Sequence, residues 1–121
     1  MHAPEPRVDR YVSPDGKLTF LVIREEGDIT LGFDGYPSHT HGDILAELSG
    51  LPIEVAVEQY VDALLNGRSI IGLYSWEGGV QDVGIVDDPL LPDWAKPDVK
   101  SPRSEGETVE FRLWDGTKVA I

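Results

Sequence analysis

LTFLVIREEGDITLGF, residues 18–33, carries apolar side chains at every second position on both sides of Glu26-Gly27. A two-residue loop at Glu26-Gly27 pairs Val22 with Leu31 and Phe20 with Phe33, so their side chains fall on one side of a hairpin. Leu18, Phe20, Val22, Ile29, Leu31 and Phe33 then form one buried face. Upstream, Ser13-Pro14-Asp15-Gly16 has the composition of a turn, with proline presetting one φ and glycine taking the left-handed position. A three-residue loop Pro14–Gly16 sets Val12 opposite Leu18 and Val8 opposite Val22. The first unit therefore reads as a three-stranded antiparallel meander.

The chain continues as helix. GDILAELSG, residues 42–50, fits a short helix with Asp43 as N-cap, or with Thr40 as cap and Asp43 in the first turn, and with Gly50 past its end. Pro52 suits the first position of a second helix. Ile53, Val57, Tyr60, Val61, Leu64 and Leu65 share a face of it, Glu54, Glu58, Gln59 and Asp62 take the wet side, and Asn66-Gly67 ends it. RSIIGLYSW and VQDVGIVD then flank a turn at Glu77-Gly78-Gly79. Residues 87–107, with four of the nine prolines and many charges, read as a long acidic loop. A three-residue loop Trp114-Asp115-Gly116 closes a last hairpin, pairing Phe111 with Val119 and Val109 with Ile121.

The order β-β-β-α-α-β-β-β-β predicts an α+β fold: an antiparallel sheet of about six to seven strands with two helices on one face. Residues 1–121 make one domain, with 1–7 as a flexible N-terminal tail.

Charge is the strongest bulk feature. Ten basic against 22 acidic residues give a formal charge of −12, which repels phosphate backbones and anionic lipid. Nucleic-acid and membrane-surface binding are not expected; the acidity serves solubility, and a basic protein partner is the sharper alternative. No run approaches the ~20 apolar residues of a membrane span, and the N-terminus has no signal-peptide pattern. The absence of cysteine removes thiol nucleophiles and disulfides and suits a cytoplasmic location.

Two of the three histidines stand in GYPSHTHGDIL, residues 35–45. Neutral imidazoles at i and i+2 on an extended segment can reach one ion, and Asp43 could add an oxygen ligand or orient a ring. Over His39–Asp43 the pattern resembles the opening of the metallo-β-lactamase motif, His-x-His-x-Asp-His. It departs at Ile44, where that motif has its next histidine, and both that superfamily and the His-x-His amidohydrolase barrels need longer chains. Neither family is assigned. There is no Gly-x-Ser-x-Gly, GxGxxG or P-loop.

Tyr36, His39 and His41 on this loop, Trp94 in the acidic loop and Trp114 at the last hairpin tip are the candidate binding surface, since turn chemistry places both tryptophans outside the core. The leading expectation is a non-enzymatic protein-binding domain without cofactor, monomeric or homodimeric. Toxin-neutralising immunity proteins are similar in general build, being small, acidic and cysteine-free, but no motif carries that likeness. The alternative is a small zinc-dependent hydrolase with His39, His41 and Asp43 as ligands.

Overall fold

The computed structural model describes residues 7–90, 92 and 105–120. Within them the order is β1 (Arg7–Val12), β2 (Thr19–Glu25), β3 (Asp28–Phe33), β4 (His39–His41), α1 (Gly42–Ser49), α2 (Ile53–Leu65), β5 (Ile70–Trp76), β6 (Gly79–Asp87), β7 (Thr108–Arg112) and β8 (Lys118–Val119). The fold is α+β, with its two helices in succession at mid-chain. The strands divide into two antiparallel sheets of four, in the orders β1-β2-β3-β4 and β6-β5-β7-β8. A single sheet of six to seven strands is therefore corrected in arrangement, and β4 is an extra strand within what reads as loop.

The β2–β3 register matches the alternation. Val22 pairs with Leu31 and Phe20 with Phe33, and the rings of Phe20 and Phe33 meet edge to face at 5.1 Å. Leu18, Phe20, Val22, Leu31 and Phe33 are buried together with Leu45, Val57, Leu64, Ile71, Val83 and Trp114, so one core draws on both sheets and both helices; Ile29 packs against it partly covered. On α2 the buried stripe includes Ala56 and Ala63, while Ile53 and Leu65, the outer members of the expected face, are exposed. Pro52 stands one residue earlier than expected, as the cap of α2 rather than its first residue. Tyr60 lies in this core, and its burial, then the Asp88 carboxylate, pushes its phenol above the ordinary range.

The β1–β2 register differs from the expectation by one residue: Val12 pairs with Thr19, Tyr11 with Phe20, and Asp9 with Val22. The cause lies in the turn. Ser13 N–H donates to Leu18 O and Gly16 N–H to Ser13 O, while Leu18 N–H donates to the Ser13 hydroxyl at 3.0 Å. Ser13 and Leu18 thus close a four-residue loop, and the slip turns every β1 side chain over. Tyr11 packs on the core, and Val8 and Val12 face outward, 41% and 62% exposed.

The same loop holds the two sheets together. Arg112, on β7, extends its guanidinium to Asp15 with Nη1–Oδ2 at 2.7 Å and Nη2–Oδ1 at 3.2 Å. Its remaining donors reach Leu113 O and Trp114 O at 3.0 and 2.9 Å. Asp15 also accepts from the Ser13 hydroxyl and the Lys17 amide. A second tie lies farther along, where buried Asp82 of β6 accepts both the amide and the hydroxyl of Ser38.

Trp114 corrects the expectation of an exposed anchor. Its carbonyl is bound by Arg112 and the residue is 5% exposed, inside the core, because the clasp draws the last hairpin tip onto the β1–β2 loop. That hairpin otherwise has the expected register, with Phe111 opposite Val119. Ile121, residues 1–6 of the expected tail, and 91 and 93–104 of the expected acidic loop lie outside the described residues. Asp87, placed at the start of that loop, instead ends β6.

Two outcomes are expected. Trp114→Ala costs about 3–5 kcal/mol in urea unfolding; a loss within experimental error contradicts the buried placement. The Arg112 guanidinium and the Ser13 hydroxyl hold the Asp15 carboxyl well below its ordinary value. A carboxylate depressed in the folded state stabilises above its unfolded pKa of about 3.9 and loses that contribution as pH falls below it. The melting temperature therefore drops below about pH 4, and Asp15→Asn flattens that drop without abolishing it, because Asp115 is shifted the same way by Thr117. An unchanged acid limb in Asp15→Asn contradicts the assignment.

Candidate binding groove and the histidine strand

HTHGD is a strand running directly into a helix. His39–His41 form β4, pairing with Gly32 and Thr30 of β3, and α1 begins at Gly42 with His41 in the cap position. No side chain caps this helix; Asp43 accepts from the Ile44 amide instead of serving as N-cap. Gly42 stands in a crowded place: a Cβ there would lie 3.1–3.2 Å from Ile53, Ile29 and Val57, which would have to shift by a few tenths of an ångström. The pattern thus has a packing reason, since α1 must start against α2 and β3 at van der Waals distance.

Register puts His39 and His41 on the outward face of the first sheet, beside Gly32 and Thr30 and across from Leu21 and Ile23. Their rings stand edge to face at 5.0 Å. His39 Nδ1 bonds Pro37 O at 2.8 Å, and His41 Nδ1 bonds Asp28 Oδ1 at 3.2 Å. Tyr36, half-buried against the core, lines with His39, Leu21, Ile23 and Gly32 a hollow of about 260 Å³ on this face. A Cβ at position 32 would come within 2.9 Å of Ser38 O, so glycine both opens the hollow and admits the β3–β4 loop.

The structure therefore brings Tyr36, His39 and His41 into one neighbourhood. It does not bring Asp43 there as a third ligand, and among the described residues no three His, Asp or Glu side chains form a group able to hold a metal ion. Trp114 is in the core, and Trp94 lies outside the described residues. Among the described residues, the tryptophan that reaches solvent is Trp76, 47% exposed at the end of β5. Its place beside the Glu77-Gly78 turn was the available signal.

A larger concavity, about 320 Å³, opens between β1 and α2. Sequence reasoning missed it. Its floor is Tyr11, Val22, Val57 and Val61. Its rim carries Asp9, Glu54, Glu58 and Asp62 against the guanidinium groups of Arg7 and Arg24. Both cations are already paired, Arg7 with Asp9 and Arg24 with Glu54, each at 3.2 Å. Asp62 pairs with Arg68 at 2.7 Å, and Glu58 makes no ion pair among the described residues. Glu54, Glu58 and Asp62 recur every four residues, so α2 presents one row of carboxylates beside an apolar trough.

No protein-family model matches the chain, and neither a curated protein nor a solved structure matches it at a significant level. Among the described residues no helix is long and apolar enough to cross a membrane.

Proposed function

We propose that the chain is a non-enzymatic protein-binding domain of the cytoplasm that engages a basic partner protein through the groove between β1 and α2. The observation that carries this reading is the groove's make-up, an apolar floor beneath four carboxylates, with its described lining cations, Arg7 and Arg24, already paired. An apolar side chain of the partner fills the trough while flanking lysines or arginines meet Glu58 and its neighbours, giving an apolar centre within a charged rim. The charge of −12 supports the same choice of partner, since it steers cations inward and repels phosphate. The zinc-hydrolase reading of His39, His41 and Asp43 has less support, because Asp43 is engaged with the Ile44 amide.

The test is affinity capture from cells that make the protein, followed by titration of the purified partner. Binding is expected to weaken at least about tenfold in Glu58→Lys and with added salt, while folding stability changes by no more than about 0.5 kcal/mol. Failure to recover a stoichiometric partner, or a partner indifferent to both Glu58→Lys and Asp62→Lys, overturns the proposal.

A further inference from the structure

The geometry points to a divalent transition-metal site on the outward face of the first sheet, with Nε2 of His39 and Nε2 of His41 as its two protein ligands and Asp28 as the residue that orients His41. It stands apart from the groove, which lies on the other side of the same sheet, and does not rest on that reading.

Three observations combine. First, strand periodicity sets the histidines on one side of β4 as neighbours, with ring centres 5.0 Å apart. Imidazoles sharing one ion at about 2.0–2.1 Å, at a near-tetrahedral angle, have ring centres about 5 Å apart. Second, each Nδ1 has an acceptor-only oxygen as its nearest partner, the Pro37 carbonyl for His39 at 2.8 Å and the Asp28 carboxylate for His41 at 3.2 Å; the Thr30 hydroxyl, 3.4 Å from His41 Nδ1, donates to the other Asp28 oxygen. The proton of each neutral ring is therefore held on Nδ1, and each Nε2 keeps its lone pair, the state a metal ligand requires. Third, an outer oxygen on the far nitrogen is the arrangement that fixes ring direction and raises ligand basicity at histidine metal sites. His39 is exposed and His41 only partly covered, so an ion approaches from solvent.

Two nitrogens leave at least two positions on a four-coordinate ion, open to water or to an outside anion. The sequence pattern pointed at Asp43 for the carboxylate. The fold supplies Asp28 instead, from the strand alongside and in the outer role rather than as a ligand.

The experiment is calorimetric titration of the chelator-stripped full chain with zinc chloride, with the imidazole nitrogen NMR signals followed in parallel. One ion per chain is expected, with the Nε2 resonances of His39 and His41 moving together. Affinity is expected to fall at least about tenfold in His39→Ala and in His41→Ala, and about tenfold in Asp28→Ala. It is expected to stay unchanged in His2→Ala, which removes the third histidine. All four positions are compared at matched melting temperature to separate binding from folding. No saturable binding, binding that survives the double His39→Ala/His41→Ala variant, a stoichiometry of one ion per two chains, or loss in His2→Ala would each overturn the site. Unchanged affinity in Asp28→Ala would remove the carboxylate's orienting role.

Discussion

The fork of Arg112 on Asp15 is the interaction on which the arrangement of the two sheets depends. It joins residues 97 apart in sequence, where the β1–β2 loop of the first sheet meets the last hairpin. Taking a guanidinium out of water is costly unless its donors are satisfied. Here two bonds go to the carboxylate and two to backbone carbonyls, so burial to 8% side-chain exposure leaves Arg112 well bonded. The tie between Ser38 and Asp82 repeats the device with a different pair of elements. Between these two polar ties lies the shared core, with Ile71, Val83 and Trp114 packed against Leu18, Phe20 and Phe33.

Several surface features follow from the same constraint. Asp15 organises the β1–β2 loop through Ser13 and Lys17, so the loop closes at Ser13 and Leu18 rather than one residue earlier. That register turns Tyr11 and Asp9 toward α2, where they line the groove, and sends Val8 and Val12 outward. Trp114 is drawn inward by the neighbouring half of the clasp. The acidic groove and the buried tryptophan are thus two consequences of one contact.

What could be read from the sequence was local. Alternation around Glu26-Gly27 fixed the β2–β3 register, and the 3.6-residue period marked α2, although small residues at 56 and 63 let the helix sit closer and rolled its stripe away from Ile53 and Leu65. The β1 register could not be read, because a side chain (the Ser13 hydroxyl) replaces a backbone acceptor in the closing pair and a distant arginine holds the loop that way. Turn composition suggested an exposed Trp114 for the same reason. The division into two sheets escapes periodicity altogether, since alternation says which face is buried and not which strand lies alongside.

The sites divide similarly. The histidine pair and the carboxylates of α2 were visible as residues, but their neighbours were not: Asp28 and Pro37 reach the rings through strand pairing and loop shape, and the groove forms where β1 meets a helix more than forty residues later. The most direct test of the account is a double-mutant cycle on Asp15→Ala and Arg112→Ala, measured by thermal unfolding at pH 7. Strong coupling is predicted, with the double variant little less stable than the worse single one. Additive losses would mean that the two residues act independently, and would contradict the claim that their contact organises the fold.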